Sequence, residues 1–178
     1  MSIKPIVAVT MGDPSGIGPE VIVKALAHQD VLEGCHILVI GNSKILEQTS
    51  NQLRLAHVAK PISFAADAAA NLVSILDTGN LDAGDIVPGK VSAVSGKASV
   101  EWILQAAEFL KSGQVQAMAT APINKESAQA AGYKEVGHME ILQAFSGAKE
   151  VATMLTAGKL RVVHLTTHRS LAQAVNFV

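Results

Sequence analysis

A single cysteine, Cys35, in 178 residues excludes an intrachain disulfide and any cysteine-rich zinc module. Aromatic side chains make up 3 % of the sequence, too few for the stacking platforms that hold single-stranded nucleic acid. Charge is equally thin. With 14 Lys+Arg against 15 Asp+Glu there is no electrostatic hold on nucleic acid or on an anionic membrane surface. No apolar run approaches the roughly 20 residues of a membrane span. The apolar start, Ile6 to Met11, is cut short by Asp13 and Pro14, so it reads as a buried first strand rather than a secretion signal. These absences leave a soluble, cytoplasmic globular protein whose ligand is a small molecule, long enough for one domain, or for one lobe and part of a second.

What is present is an alternation of short apolar runs and helical patterns. Ile6–Met11, His36–Gly41 and Val115–Thr120 read as buried strands, and "ISFAA" as a further one. Helical spacing runs over Pro19–Gln29, over "KILEQTSNQL" behind Asn42 or Ser43 as cap, over Ser99–Gly113, and from His138 to a stop at Gly147. A further helix is expected from Asn124. Asn71–Lys90 is loop-like, with "LVSIL" able to form a short strand. "EVATMLTAG" and "LRVVHLTTH" flank Gly158-Lys159 and predict a hairpin, with a last helix in "RSLAQAVNFV". The pattern predicts an α/β fold with a largely parallel sheet between helical layers.

Three places could carry chemistry. "VTMGDPSGIGPE" (Val9–Glu20) sets three glycines and two prolines between a strand and a helix start, where backbone N–H groups and the positive end of the helix dipole are exposed. Gly12, Gly16 and Gly18 would permit positive φ and close approach to a ligand. Asp13 is a carboxylate at a strand's C-terminal end, where open α/β sheets bind ligands. The third glycine of the dinucleotide fingerprint is missing, because Val21 stands there. "TAPINKE" places Asn124 and Lys125 behind another strand, where an amine could orient a carboxylate or act as a base. "GHME" puts His138 at a helix start, and "TTH" puts His168 at a strand end, thirty residues on.

Two phosphate-loop lookalikes fail. "GDIVPGKV" offers Val91, and "SGKAS" offers Ala98, where a hydroxyl must meet magnesium. "HLTTH" lies on a strand with leucine where the zinc pattern needs glutamate, so His164 receives no metal role.

Taken together and in order, "MGDPSGIGPE", "TAPINKE", "GHMEIL" and "TTHRSL" resemble the 4-hydroxythreonine-4-phosphate dehydrogenase family. The first phrase also echoes the related loop of isopropylmalate and isocitrate dehydrogenases, which share the general fold. The resemblance implies a cytoplasmic homodimer of two-lobed α/β/α subunits, with the active site in the cleft at the dimer interface. It implies NAD or NADP and a divalent metal (zinc, magnesium or cobalt), and oxidation of 4-phosphooxy-L-threonine followed by loss of carbon dioxide, on the way to pyridoxal phosphate.

Carried over by position, His138 corresponds to a substrate-contacting histidine and His168 to the first of three metal histidines. Asn124 and Met139 fall among the substrate contacts. Lys125 lines the cleft as the candidate catalytic residue, and Gly12, Asp13, Gly16 and Gly18 lie where the related dehydrogenases approach the cofactor.

Two departures matter. Met139 stands where the family has threonine, and a thioether is a poor substitute for a hydroxyl. This makes a sister activity on D-threonate or D-erythronate 4-phosphate a second expectation. The family also runs to roughly twice this length. Its remaining metal histidines and phosphate-binding residues lie downstream, so the sequence reads as an N-terminal half, with a lobe boundary near 120–135, inactive alone. A non-catalytic lobe that binds a phosphorylated metabolite or dimerises is the reading from another class.

Overall fold

A computed structural model of the chain describes residues 4–164, 166 and 170–176. Five strands form one parallel sheet: β1 (Ile6–Thr10), β2 (His36–Gly41), β3 (Lys60–Ile62), β4 (Val73–Asp77) and β5 (Ala117–Thr120), in the order β3-β4-β2-β1-β5. Burial on both faces explains why β1 and β2 read as continuous apolar runs rather than alternating ones. Ala8, Leu38, Val39, Ile40 and Ile75 are fully enclosed.

Helices α1 (Gly18–Leu26), α2 (Gln29–Gly34) and α3 (Ser43–Leu53) lie in the crossovers on either side of β2, and α1 packs on α3. The long α4 (Ala93–Lys111) packs on β1, β2 and β5, and carries α5 (Lys125–Ala130) and α6 (His138–Ser146) on its outer side. The expected α/β/α layering is present. Val100 and Ile103 of α4 meet Ala128 of α5 and Ile141 of α6 in a second small apolar cluster. That cluster fixes where the first turns of α5 and α6 point.

Several expectations are corrected. "ISFAA" is not the third strand. The pairing residues are Lys60–Ile62, and Ala65–Ala70 instead winds into a 3₁₀ turn whose Ala65 and Ala68 reach the core. The helix expected over Pro19–Gln29 ends at Leu26, and a second one, α2, starts at Gln29. Helix α4 begins at Ala93, six residues ahead of Ser99. The Ser92 hydroxyl accepts from the Ser95 N–H at 3.1 Å, and the small residues that follow are buried, so no large apolar side chain marks this first stretch. "SGKAS" is thus an interior stretch of helix, which settles its rejection as a phosphate loop.

Elsewhere local chemistry and structure agree. Asn42 caps α3 by accepting from Ile45 N–H, and Gly147 closes α6 in the left-handed conformation at φ +67°. β6 (Met154–Ala157) and β7 (Leu160–Val163) form the expected antiparallel hairpin around Gly158, as a separate two-stranded sheet. The last helix, α7 (Leu171–Val175), opens with a capping box on Ser170 and Gln173.

Candidate active site

The chain passes from β1 outward to β3, returns through β4, and then crosses to β5 on the far side of β1. The carboxyl ends of β1 and β5, aligned through the Thr10–Thr120 pair, therefore flank the point where the strand order reverses. In open parallel sheets that crevice is where ligands bind. The opening loop, the start of α5 and the start of α6 all converge on it.

The opening loop is less free than its glycines suggest. Gly12 adopts φ +71°, and a Cβ there would collide with the Pro122 carbonyl. A Cβ on Gly18 would strike the Met11 carbonyl. Both glycines serve close packing of the chain on itself. Gly16 alone of the three is exposed, next to Ile17, which is 61 % exposed and offers an apolar surface at the loop tip. A cavity of about 240 Å³ between this loop, α1 and α3 is lined by Gly16, Pro19, Gln48, Thr49, Gln52 and Pro88, among others.

Asp13 is buried, and its carboxylate accepts from the Ser15 N–H at 2.8 Å and faces the Ser127 side chain. Burial pushes this carboxyl above the ordinary aspartate value, and the two contacts only partly oppose it. The ionised form is thus disfavoured in the fold. Asp13 contributes stability below its unfolded value of 3.8, and that contribution is lost as pH rises through its raised folded value. Asp13→Asn is expected to raise the melting temperature at pH 7, with the gain vanishing below pH 3.8; thermal unfolding against pH reads it directly.

Asn124 and Lys125 stand where the sequence placed them, at the start of α5. Asn124 spends its side-chain oxygen capping the helix, accepting from the Ser127 N–H at 2.9 Å. Lys125 is exposed at the first turn.

His138 begins α6 and leans on Ala121, the residue that follows β5, so it joins the same crevice. Its Nε2 is buried and has no hydrogen-bond partner among the described residues. Burial pushes the imidazole below the usual histidine value, against the pull of the Ala121 carbonyl and the Glu140 carboxylate. His138 is therefore neutral at pH 7, with an Nε2 that is hydrogen-bonded to no group among the described residues. Its stabilising contribution is present above pH 6.5 and lost as pH falls through the depressed folded value. The His138 ring proton signals are expected to titrate below pH 6.5 in NMR spectra.

Met139 is 40 % exposed beside it, and its sulfur accepts from the Thr153 hydroxyl at 2.9 Å. His168 lies outside the described residues. Among the described residues no three His, Cys, Asp or Glu side chains gather as a metal set. Sequence reasoning missed the buried hydroxyls of Ser15, Ser95 and Ser127. Serines beside helix starts read as ordinary caps, and nothing local marks them as buried.

The family model for "Pyridoxal phosphate biosynthetic protein PdxA" matches residues 33–178. The chain belongs to the PdxA family. A D-threonate 4-phosphate dehydrogenase from Cupriavidus necator is 41 % identical over 96 % of the chain and 52 % of that protein. The crystal structure of a 4-hydroxythreonine-4-phosphate dehydrogenase from Burkholderia phymatum superimposes with a TM-score of 0.90 at 38 % identity, covering 98 % of this chain and 53 % of that one. The Klebsiella pneumoniae 4-hydroxythreonine-4-phosphate dehydrogenase superimposes with a TM-score of 0.86 at 32 % identity, over 98 % of this chain and 54 % of its own. The chain thus spans about half the length of the curated relatives and solved structures it matches. Its relatives are dehydrogenases, and among the described residues no helix is long and apolar enough to cross a membrane.

Proposed function

We propose that this chain supplies the N-terminal half of the active site of an NAD(P)- and divalent-metal-dependent dehydrogenase–decarboxylase acting on a 4-phosphorylated four-carbon hydroxy acid. The observation that carries the reading is the buried Nε2 of the neutral His138, which has no hydrogen-bond partner among the described residues, at the crevice between the carboxyl ends of β1 and β5. A buried polar atom without a partner costs free energy that a bound ligand can recover.

In this reading the neutral imidazole hydrogen-bonds the substrate. Lys125, at the mouth of the same crevice, pairs with the substrate carboxylate or takes the proton of the hydroxyl being oxidised. The exposed Gly16–Ile17 tip offers the apolar Ile17 side chain to the dinucleotide, while the Gly16 N–H is held by the Asp13 carbonyl at 3.0 Å. When bound, the nicotinamide accepts the hydride. The described residues do not make a metal site, so no step is assigned through one here. His168 is the candidate ligand of this half, and the rest of the set belongs to the downstream, C-terminal half of the subunit in a homodimeric enzyme.

Met139 favours D-threonate 4-phosphate over 4-phosphooxy-L-threonine as the substrate. The second acid carries an ammonium at C2, which needs strong acceptors, and a thioether already engaged by Thr153 is a weak one. The 41 % identical relative acts on the first acid by its name, which supports the same order.

The test is titration of the chain with each acid while the His138 resonances are followed. D-threonate 4-phosphate is expected to shift them saturably, with weaker binding of the amino acid, and His138→Gln is expected to weaken binding at least tenfold, about the worth of one buried hydrogen bond. No saturable shift with either acid would overturn the reading.

A further inference from the structure

Five polar residues from three separate segments form a ring of polar contacts beneath the crevice. The Asp13 carboxylate accepts from the Ser15 N–H at 2.8 Å and faces the Ser127 side chain. Ser15 Oγ lies 2.6 Å from Ser95 Oγ, with both residues buried. Ser92 Oγ donates to Ser95 Oγ at 3.2 Å and accepts from the Ser95 N–H at 3.1 Å. The Ser92 N–H donates to Ser127 Oγ at 3.2 Å, which completes the ring. Two backbone contacts run alongside. The Asp13 N–H donates to the Pro122 carbonyl at 2.9 Å, and Gly96 lies so close to the Ser127 carbonyl that a Cβ could not be placed between them.

The ring joins the opening loop, the start of α4 and the first turn of α5. Ser127, fully buried, is its member on α5, and its own N–H is the one that Asn124 caps. Through two residues of helix it therefore sets Asn124 and Lys125 against the opening loop. The Asn124 cap alone would form the same helix turn in any orientation. The hydroxyl of Ser127 is what ties that turn to Ser92 and sets it beside Asp13.

We infer that Ser127 is a positioning residue, which through its hydroxyl orients Asn124 and Lys125 toward the crevice. The inference rests on the proposed function only for what Lys125 then does there; the positioning itself stands on the ring. An α5 turn displaced by about 1 Å is enough to cost a reaction on the order of a hundredfold.

Ser127→Ala is the clean probe, because it removes the hydroxyl and leaves the backbone N–H that Asn124 caps. In the folded variant the Ser92 amide is expected to exchange with solvent about tenfold faster, and the Asn124 and Lys125 amide signals to move along with those of Asp13 and Ser15. Ser127→Thr, which keeps the hydroxyl, restores them. Ser95→Ala opens the ring on its other side and serves if Ser127→Ala does not fold; it is expected to move the Ser15 and Ser92 signals together. In the active enzyme Ser127→Ala is expected to lower kcat about tenfold with KM little changed, and threonine to rescue it. A folded Ser127→Ala chain with unaltered Ser92 exchange and unaltered Lys125 signals overturns the inference whether or not any acid is turned over. Altered signals in a chain that binds neither acid uphold the positioning and overturn the proposed function instead.

Discussion

Gly12→Ala is expected to destabilise the chain by about 2–5 kcal/mol, the sum of a left-handed backbone forced on a Cβ residue and an overpacked contact. The position combines two constraints. Its φ of +71° is strained for any side chain, and the space for a Cβ is already filled by the Pro122 carbonyl and the Ala121 backbone. Neither neighbour is a side-chain end that can swing away, so the opening loop must lift off residues 121–122. Lifting it breaks the Asp13 N–H to Pro122 bond and separates the loop from the start of α5. Stability and ligand binding are therefore expected to fall together. Gly79 is the control: its φ is +67°, yet no atom lies within 4 Å of a Cβ there. Gly79→Ala should cost only the conformational part, about 1–2 kcal/mol. Urea unfolding of the two variants separates the contributions, and equal losses would show that the close approach at Gly12 carries no energy.

Trp102→Ala is expected to cost about 3–5 kcal/mol. That is a large part of the 5–15 kcal/mol typical of whole domains. Trp102 is fully buried on α4, in the core shared with the parallel sheet. Its indole Nε1–H donates to Thr78 Oγ1 at 3.0 Å and to Asn80 Oδ1 at 3.1 Å, and Asn80 in turn donates to Glu101 at 2.7 Å. Alanine leaves a cavity under the sheet and strips the loop after β4 of its indole tie to α4, leaving the Asn80–Glu101 bond. Trp102→Phe keeps most of the buried area and loses only the N–H bonds, so it should cost about 1 kcal/mol. Unfolding is best followed by circular dichroism, since Trp102 is the one tryptophan and its removal abolishes that fluorescence. A loss below that of the phenylalanine variant would contradict the packing account.

The strands β1 and β2, a cap at Asn42 or Ser43, the helix start at Asn124, the stop at Gly147 and the hairpin around Gly158 were legible in the sequence. Each depends on residues within a few positions of one another, so local pattern carries the information. The converging site residues His138, Asn124, Lys125 and the opening loop were legible for a related reason. They sit at strand ends and helix starts, and a parallel sheet brings those ends to one side.

The misreadings share a cause as well. β3 was assigned to the more apolar "ISFAA" because strand pairing is decided by the partner, here β4, and Lys60 and Pro61 hold an edge position where polar residues and proline are tolerated. The start of α4 was hidden because its residues are small, chosen for close approach to α5 rather than for apolar periodicity.

By itself, then, the sequence determined the layered α/β class, the family and the helix starts on which Asn124, Lys125 and His138 stand, all of which follow from local pattern and motif order. Only the tertiary structure decided how these residues and the opening loop are packed. It turned Gly12 and Gly18 from ligand cradles into packing contacts, left Gly16 and Ile17 facing outward, and buried Asp13 beside Ser15 and Ser127. The reason is physical. Burial, and the partner a buried polar group finds, depend on segments far apart in the chain, such as Ser15 and Ser95, 80 residues apart, and no local pattern records which of them will meet.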